Sequence, residues 1–265
     1  MPNKARSSHA TIERRRQDIL RYVVEHGDIR IDELADHFHV SLMTMHRDLD
    51  DLAGRHLLRK KRGRAAAFPA LTMETATRFR EGENLPAKKA ICATAAAWIQ
   101  PGNTVVMDDS TTLFPLAGHL TGIEQLTVVT NSVGIAQLLG SAPNVTVTLL
   151  GGQYHGEFNS CTGPEVARGL SRIQADLALM SATAVCEGRL SHPLREYADV
   201  KESMIACSDR ALLLADHSKF GKTATHTFGA ISSYETVITD SATPESEIAA
   251  IRNLGVPVEV IEPTG

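Results

Sequence analysis

Two groups of residues in this sequence have types and spacing suited to chemistry. The first is cationic: Arg47, then Arg59, Lys60, Lys61, Arg62 and Arg64 around Gly63. Guanidinium and ammonium groups on a short exposed element neutralise phosphates, and an outward arginine can fork onto a guanine edge. The second is a series of short polar segments, each directly after an apolar run. They are Asp108-Asp109-Ser110-Thr111-Thr112, Thr130-Asn131-Ser132, Gly151-Gly152, Ser181-Ala182 and Asp216-His217-Ser218-Lys219. Hydroxyls and free amides at a helix start suit a phosphate, and carboxylates suit sugar hydroxyls.

The cations require a small helical module to present them. Ile12, Ile19, Leu20, Val23 and Val24 recur at helical spacing behind Thr11 as N-cap, and Gly27 is placed to end that helix. Ile29-Arg30-Ile31 is a short apolar-polar alternation. Asp32 is expected to cap a second helix holding Leu34, Ala35 and Phe38, with a turn at His39-Val40. Ser41 is expected to cap a third, whose stripe of Leu42, Met45, Leu49 and Leu52 should pack inward. Met43, Thr44, His46 and Arg47 then face outward, and Ser41 and Thr44 can reach phosphates or base edges. Two helices joined by a tight turn, the second basic near its start, are what a recognition helix requires. Leu57 to Arg64 reads as strand, basic turn and return, a wing for the DNA backbone or minor groove.

The polar segments require a sheet. Candidate strands are Thr104–Asp108, Leu126–Thr130, Val145–Leu150, Leu177–Met180, Ala211–Ala215, Thr236–Thr239 and Val258–Ile261. Candidate helices are Ala87–Ile99 behind Pro86, Thr112–Leu120, Val133–Leu139, Pro164–Ile173, Arg195–Ser208 and Pro244–Leu254. Strands that are almost wholly apolar are covered on both faces, so the pattern predicts a doubly wound α/β domain with a parallel sheet. Such sheets bind ligands at the carboxyl ends of their strands, where the polar segments would meet. The expected organisation is a winged helix-turn-helix over 1–66, a linker over 67–85 and an α/β effector-sensing domain over 86–265.

The bulk properties fit this division. Residues 1–64 hold 14 Lys/Arg against 10 Asp/Glu, leaving 13 against 21 for the remainder, so a basic front precedes an acidic rear. Cys92, Cys161, Cys186 and Cys207 are scattered, which argues for reduced thiols and against a disulfide scaffold or a zinc site. The longest apolar run, Ile91 to Ile99, is about half of the ~20 residues a membrane helix needs. With no secretory signal visible, the expectation is a cytoplasmic protein without cofactor, metal or membrane partner.

The segments Arg16 to Leu20, Glu33-Leu34-Ala35, Val40 to Leu49 and Leu57-Leu58-Arg59 resemble the helix-turn-helix of DeoR-family repressors. The family signature reads Thr-Ile-Arg-Arg-Asp-Leu; this chain has Thr44-Met45-His46-Arg47-Asp48-Leu49. His46 replaces a permanent cation by a group mostly neutral at pH 7, which alters the base read there. Gly63-Arg64 stands where the family wing has two glycines.

From about Pro86 to Asp240 the chain also resembles the DeoR-family sensor domain, similar in fold to ribose-5-phosphate isomerase. The resemblance implies that Asp108, Thr111, Thr112, Asn131, Gly152, Lys201 and Lys219 line a pocket for a sugar phosphate or similar metabolite. Position along the sheet edge adds Ser110, Gly151, Ser181 and Asp216. Asp109-Ser110 replaces the family's Ser-Gly, and the extra acid favours a ligand richer in hydroxyls or carrying a positive charge. The resemblance implies a repressor of a carbohydrate or polyol operon, acting as a homodimer or homotetramer on double-stranded operator DNA. Two alternatives stand beside it: a sugar-phosphate isomerase with an appended N-terminal domain, and a protein-docking adaptor.

Overall fold

The computed structural model describes residues 12, 15–16, 18–20, 22–23, 26–54, 58–67 and 77–263. Two compact units divide the chain, Met1–Arg80 and Glu81–Gly265.

In the first unit the described residues of helix α1 run from 12 to 26, with Ile19, Leu20 and Val23 buried. Thr11 and Val24 lie outside the described residues. Gly27, at φ 80°, turns the chain left-handed and bonds back to the Val23 carbonyl, which ends the helix. Strand β1 (Ile29–Arg30) leads into α2 (Ile31–His37). The N-cap of α2 is Arg30, not Asp32. Asp32 lies in the first turn, where its carboxylate accepts from the Glu33 amide and the Arg30 guanidinium. Helix α3 (Leu42–Gly54) follows the left-handed His39. The hairpin β2 (Leu58–Lys61) and β3 (Arg64–Ala67) completes the unit, with sheet order β1-β3-β2. Arg62 and Gly63, at φ 50° and 75°, form its two-residue turn, a geometry that matches strand twist.

Helix α4 (Thr77–Gly82) stands inside the stretch expected to be linker; residues 68–76 lie outside the described residues. The second unit continues with α5 (Leu85–Ala96), shifted toward the N-terminus from the expected Ala87–Ile99. Strand β4 (Thr104–Met107) follows. The expected helix Thr112–Leu120 is a 3-10 turn, Thr111–Leu116, running into a short α6 (Ala117–Leu120). Pro115 inside the segment removes an amide that an α-helix would use. Then come β5 (Leu126–Thr130), α7 (Val133–Leu139), β6 (Val145–Leu149), the hairpin β7 (Gln153–His155) and β8 (Ser160–Thr162), and α8 (Pro164–Leu170). After them run β9 (Leu177–Met180), β10 (Ala184–Cys186), β11 (Arg189–His192) and α9 (Arg195–Ala206). The chain ends with β12 (Ala211–Leu214), β13 (His226–Ala230), β14 (Thr236–Asp240), α10 (Glu245–Asn253) and β15 (Val258–Ile261).

Seven strands form one parallel sheet in the order β15-β14-β12-β9-β4-β5-β6. These are the seven strands expected from the apolar runs. Their residues alternate between two cores. Val105, Met107, Val128, Leu179, Leu212 and Ile238 pack with Ile91 and Cys92 of α5 on one face. Val106, Val129, Met180, Leu213 and Val237 pack with Val166, Leu170, Val200 and Met204 of α8 and α9 on the other. Burial on both faces explains why the central strands β9 and β12 are wholly apolar, while the partly exposed edge strands β6 and β15 carry Thr146, Thr148 and Glu259.

Candidate nucleic-acid interface and effector site

Helix α3 carries the residues expected to face DNA. Ser41 Oγ accepts from the Thr44 amide at 3.2 Å, capping it, and lies 2.8 Å from the Thr44 hydroxyl. Met45, Leu49 and Leu52 are buried, but Leu42 is not part of the inward stripe: it is 50% exposed, beside Met43 at 74%. At the first helical position its side chain projects past the bundle. Arg47 is exposed and His46 half-buried. Asp48 is buried and accepts from Arg15 Nε at 2.8 Å and Arg16 Nε at 3.0 Å. That pairing ties α3 to α1 and fixes the face on which Arg47 emerges.

The wing alternates as a half-buried hairpin should. Leu58 and Ala65 enter the core, while Arg59, Lys61, Arg62 and Arg64 are exposed. Arg59, Lys61 and Arg64 line a groove of about 230 Å³ with Asp28 and Ala66. Arg64 Nε is 2.7 Å from Asp28 Oδ1, and Lys60 donates to Asp50 Oδ1 of α3 at 2.5 Å. Arg64 and Lys60 brace the wing, whereas Arg62 sits at its tip.

At the carboxyl ends of the parallel strands, polar groups replace apolar ones. Asp108 follows β4 and is buried. Its Oδ1 accepts from the Ser110 amide and its Oδ2 from the Ser181 amide, both at 2.9 Å. Oδ2 also pairs with Lys201 Nζ from α9. Lys201 completes its contacts on the Ser181 carbonyl at 3.1 Å and Ser110 Oγ at 3.3 Å, so one ammonium bolts two strand tips together. Ser181 Oγ reaches Thr112 Oγ1 at 3.3 Å. Asp216, after β12, accepts from Ser218 and from Asn84 Nδ2 at 2.8 Å, with Lys219 Nζ 3.9 Å from its second oxygen. Burial alone would raise the Asp216 carboxyl, but Lys219, Ser218 and Asn84 outweigh it and hold the group below the usual range.

The β7–β8 hairpin roofs this edge. The Cys161 amide donates to the Asn131 carbonyl at 2.9 Å, and Asn131 Nδ2 donates to the Cys161 carbonyl at 2.8 Å. Ser160 Oγ donates to Asp109 Oδ2 at 2.8 Å and lies 3.3 Å from Tyr197 Oη. Burial, then the charge of Asp109, push the Tyr197 phenol far up, so it stays protonated.

Of the expected site residues, Asp108, Asp109, Ser110, Thr111, Thr112, Asn131, Ser181, Lys201 and Asp216 are gathered as buried groups at this one edge. Gly151 and Gly152 are exposed. The glycine at 152 has an internal reason: a Cβ there would stand 2.4 Å from the Thr162 carbonyl oxygen of the hairpin. Sequence reasoning missed Lys88, whose buried ammonium donates to Thr111 Oγ1 at 3.2 Å, and also Asn84, Ser160 and Tyr197. Lys88 was detectable, because it shares a helical face with Cys92 and Ala95, which are buried with it. Among the described residues no group of three or more His, Cys, Asp or Glu side chains is placed to hold a metal ion, and no helix is long and apolar enough to cross a membrane.

A helix-turn-helix unit with a basic wing, in one chain with an α/β unit, defines the class of helix-turn-helix transcription regulators. Residues 15–69 match the DeoR-like helix-turn-helix domain, and residues 83–241 match the DeoR C-terminal sensor domain. The chain is 34% identical to the uncharacterized HTH-type transcriptional regulator YgbI of Escherichia coli (strain K12), over 89% of this chain and 93% of that protein. It is 28% identical to the glycerol-3-phosphate regulon repressor of the same organism, over 93% and 98%. Ribose 5-phosphate isomerase A from Neisseria gonorrhoeae aligns with 50% of this chain and 52% of its own at 14% identity, with a TM-score of 0.38. The chain belongs to the DeoR family of transcriptional regulators.

Proposed function

We propose that this regulator is a repressor of a sugar or polyol operon. It holds double-stranded operator DNA through α3 and the β2–β3 wing, and a small phosphorylated sugar or polyol binds at the strand tips of the second unit and controls that hold. Met43, Thr44, His46 and Arg47 reach base edges, while Ser41, Arg59, Lys60, Lys61, Arg62 and Arg64 serve the DNA backbone. A homodimer or homotetramer presents paired heads to paired half-sites. The glycerol-3-phosphate regulon repressor, a relative along nearly its whole length, bears a name that pairs repression with a phosphorylated polyol.

The observation that carries this reading is the cluster of buried Asp108, Asp109, Lys88, Lys201 and Asp216 at the carboxyl ends of parallel strands. A core gains little from ionised groups, because desolvating them costs several kcal/mol each, about as much as good pairing returns. An isomerase reading that used Asp108 as its base is disfavoured, since the two oxygens of Asp108 already accept two amides and an ammonium.

An electrophoretic shift with DNA from upstream of the chain's own gene tests the DNA half. Tight binding to that DNA over random duplex is expected, and Arg47→Ala should weaken it by about 1–3 kcal/mol through loss of a base contact. Equal binding to both duplexes would favour a docking role instead.

A further inference from the structure

Among the described residues, the buried strand tips hold acceptors that are not fully met. Asn131 is fully buried, and its Nδ2 is fixed on the Cys161 carbonyl. Exchanging the two ends of the amide would set oxygen against oxygen, so Oδ1 must be the other end, and it accepts no hydrogen bond. Asp109, on the tip of the neighbouring strand, is 6% exposed. Asp108 has Lys201 and Asp216 has Lys219, but Asp109 has no cation within ion-pair distance among the described residues. Its one donor among the described residues is Ser160 Oγ. With the Ser160 hydroxyl donating to Asp109, the Tyr197 hydroxyl is left to donate to Ser160 Oγ. The donors of Ser160, Tyr197 and Asn131 Nδ2 are therefore committed within the protein, and what Asp109 and Asn131 still offer a ligand is acceptor and negative charge. An unmatched buried acceptor is destabilising, more so when charged, and a ligand that brings donors recovers that cost.

We infer that the ligand of this pocket meets Asp109 and Asn131 with hydrogen-bond donors, hydroxyl or ammonium, and that Asp109 bars a second acidic group at that end. The inference rests on the reading of the strand tips as an effector site, and narrows the effector to a phosphorylated polyol or amino sugar rather than a phosphorylated sugar acid or a bisphosphate. Asp109 would be a specificity-determining residue, and Ser160 with Tyr197 would position it.

The test is a thermal-shift and calorimetric comparison on the full chain. Matched phosphorylated polyols and sugar acids of three, four and six carbons are the probes, with glucosamine 6-phosphate and inorganic phosphate beside them. Wild type, Asp109→Asn and Asp109→Ser are compared, each first checked for an unchanged circular dichroism spectrum. In the wild type the polyol of the responding chain length should bind at least about tenfold tighter than its acid partner, the scale of one unfavourable charge contact of ~1.4 kcal/mol. Both variants should lose that preference by gaining the acid, a change that misfolding cannot imitate. Glucosamine 6-phosphate against the six-carbon polyol separates ammonium from hydroxyl as the donor. Equal affinity for acid and polyol in the wild type, or a preference untouched by Asp109→Asn, would overturn the inference and leave the effector site standing. No response to any phosphorylated probe would remove both.

Discussion

At the scale of single residues, the second unit depends on charges placed where a core would exclude them. Lys201 illustrates the consequence. Its ammonium has a carboxylate, a carbonyl and a hydroxyl as partners, which satisfies its three protons. Removing it by Lys201→Met leaves Asp108 buried and unpaired, so the second unit should lose about 3–5 kcal/mol, whereas Asp108→Asn in the same background should restore part of that loss. Trp98, the one tryptophan of the chain, lies in this unit, so urea unfolding followed by tryptophan fluorescence reads it directly. An unchanged midpoint in Lys201→Met would mean that the pair contributes no net stability. Burial also pushes the Cys92 thiol up to about 12, and its Sγ donates to the Thr112 carbonyl. Cys92 therefore packs as a small apolar side chain within the core on the α5 face of the sheet.

At the scale of elements, the parallel sheet was written plainly in the sequence and its attachments were not. The central strands are runs such as Leu177-Ala-Leu-Met180, wholly buried, whose apolar residues leave no other environment than a covered strand. The hairpin β7–β8 and the antiparallel sheet β10-β11-β13 are short and polar, as in Arg189-Leu-Ser-His192, and tertiary pairing, not pattern, makes them strands. That omission hid the roof of the candidate site, because Ser160 and the Cys161 backbone come from β8. In the first unit, helical periodicity placed Met45, Leu49 and Leu52 correctly but extended the inward stripe to Leu42, the first helical residue, where the core has ended. The buried Asp48 also escaped, because a carboxylate within the outward-facing sequence gives no hint that two arginines of α1 receive it. The roof depends on one close approach. Gly152→Ala would drive a methyl group into the Thr162 carbonyl, and the hairpin must shift to admit it. The variant should lose about 1–3 kcal/mol by overpacking and should weaken ligand binding at Asp109 and Asn131. Full ligand affinity in Gly152→Ala would show that the roof takes no part in binding.

At the scale of the whole molecule, pH offers a separate readout of the strand tips. The carboxyl of Asp216 is depressed below its unfolded value near 3.8. A carboxyl lowered by folding adds stability at pH values above its unfolded pKa, and that contribution fades as pH falls toward the lower folded value. The wild type should therefore lose stability below about pH 4, and Asp216→Asn should flatten this acid limb while lowering stability at pH 7. Parallel acid limbs in the two proteins would exclude Asp216 as their source. The larger claim is that one chain joins operator binding to metabolite binding, and such a link is a free energy that must appear in both equilibria. The most direct measurement is a fluorescence-anisotropy titration of the full chain on its upstream DNA, with and without the phosphorylated polyol that most raises its melting temperature. The account predicts that saturating ligand shifts the DNA affinity by about 5–150-fold, the usual range of such couplings, and that Arg47→Ala weakens binding in both arms. A ligand that stabilises the protein yet leaves the DNA titration superimposable on the ligand-free curve would contradict it.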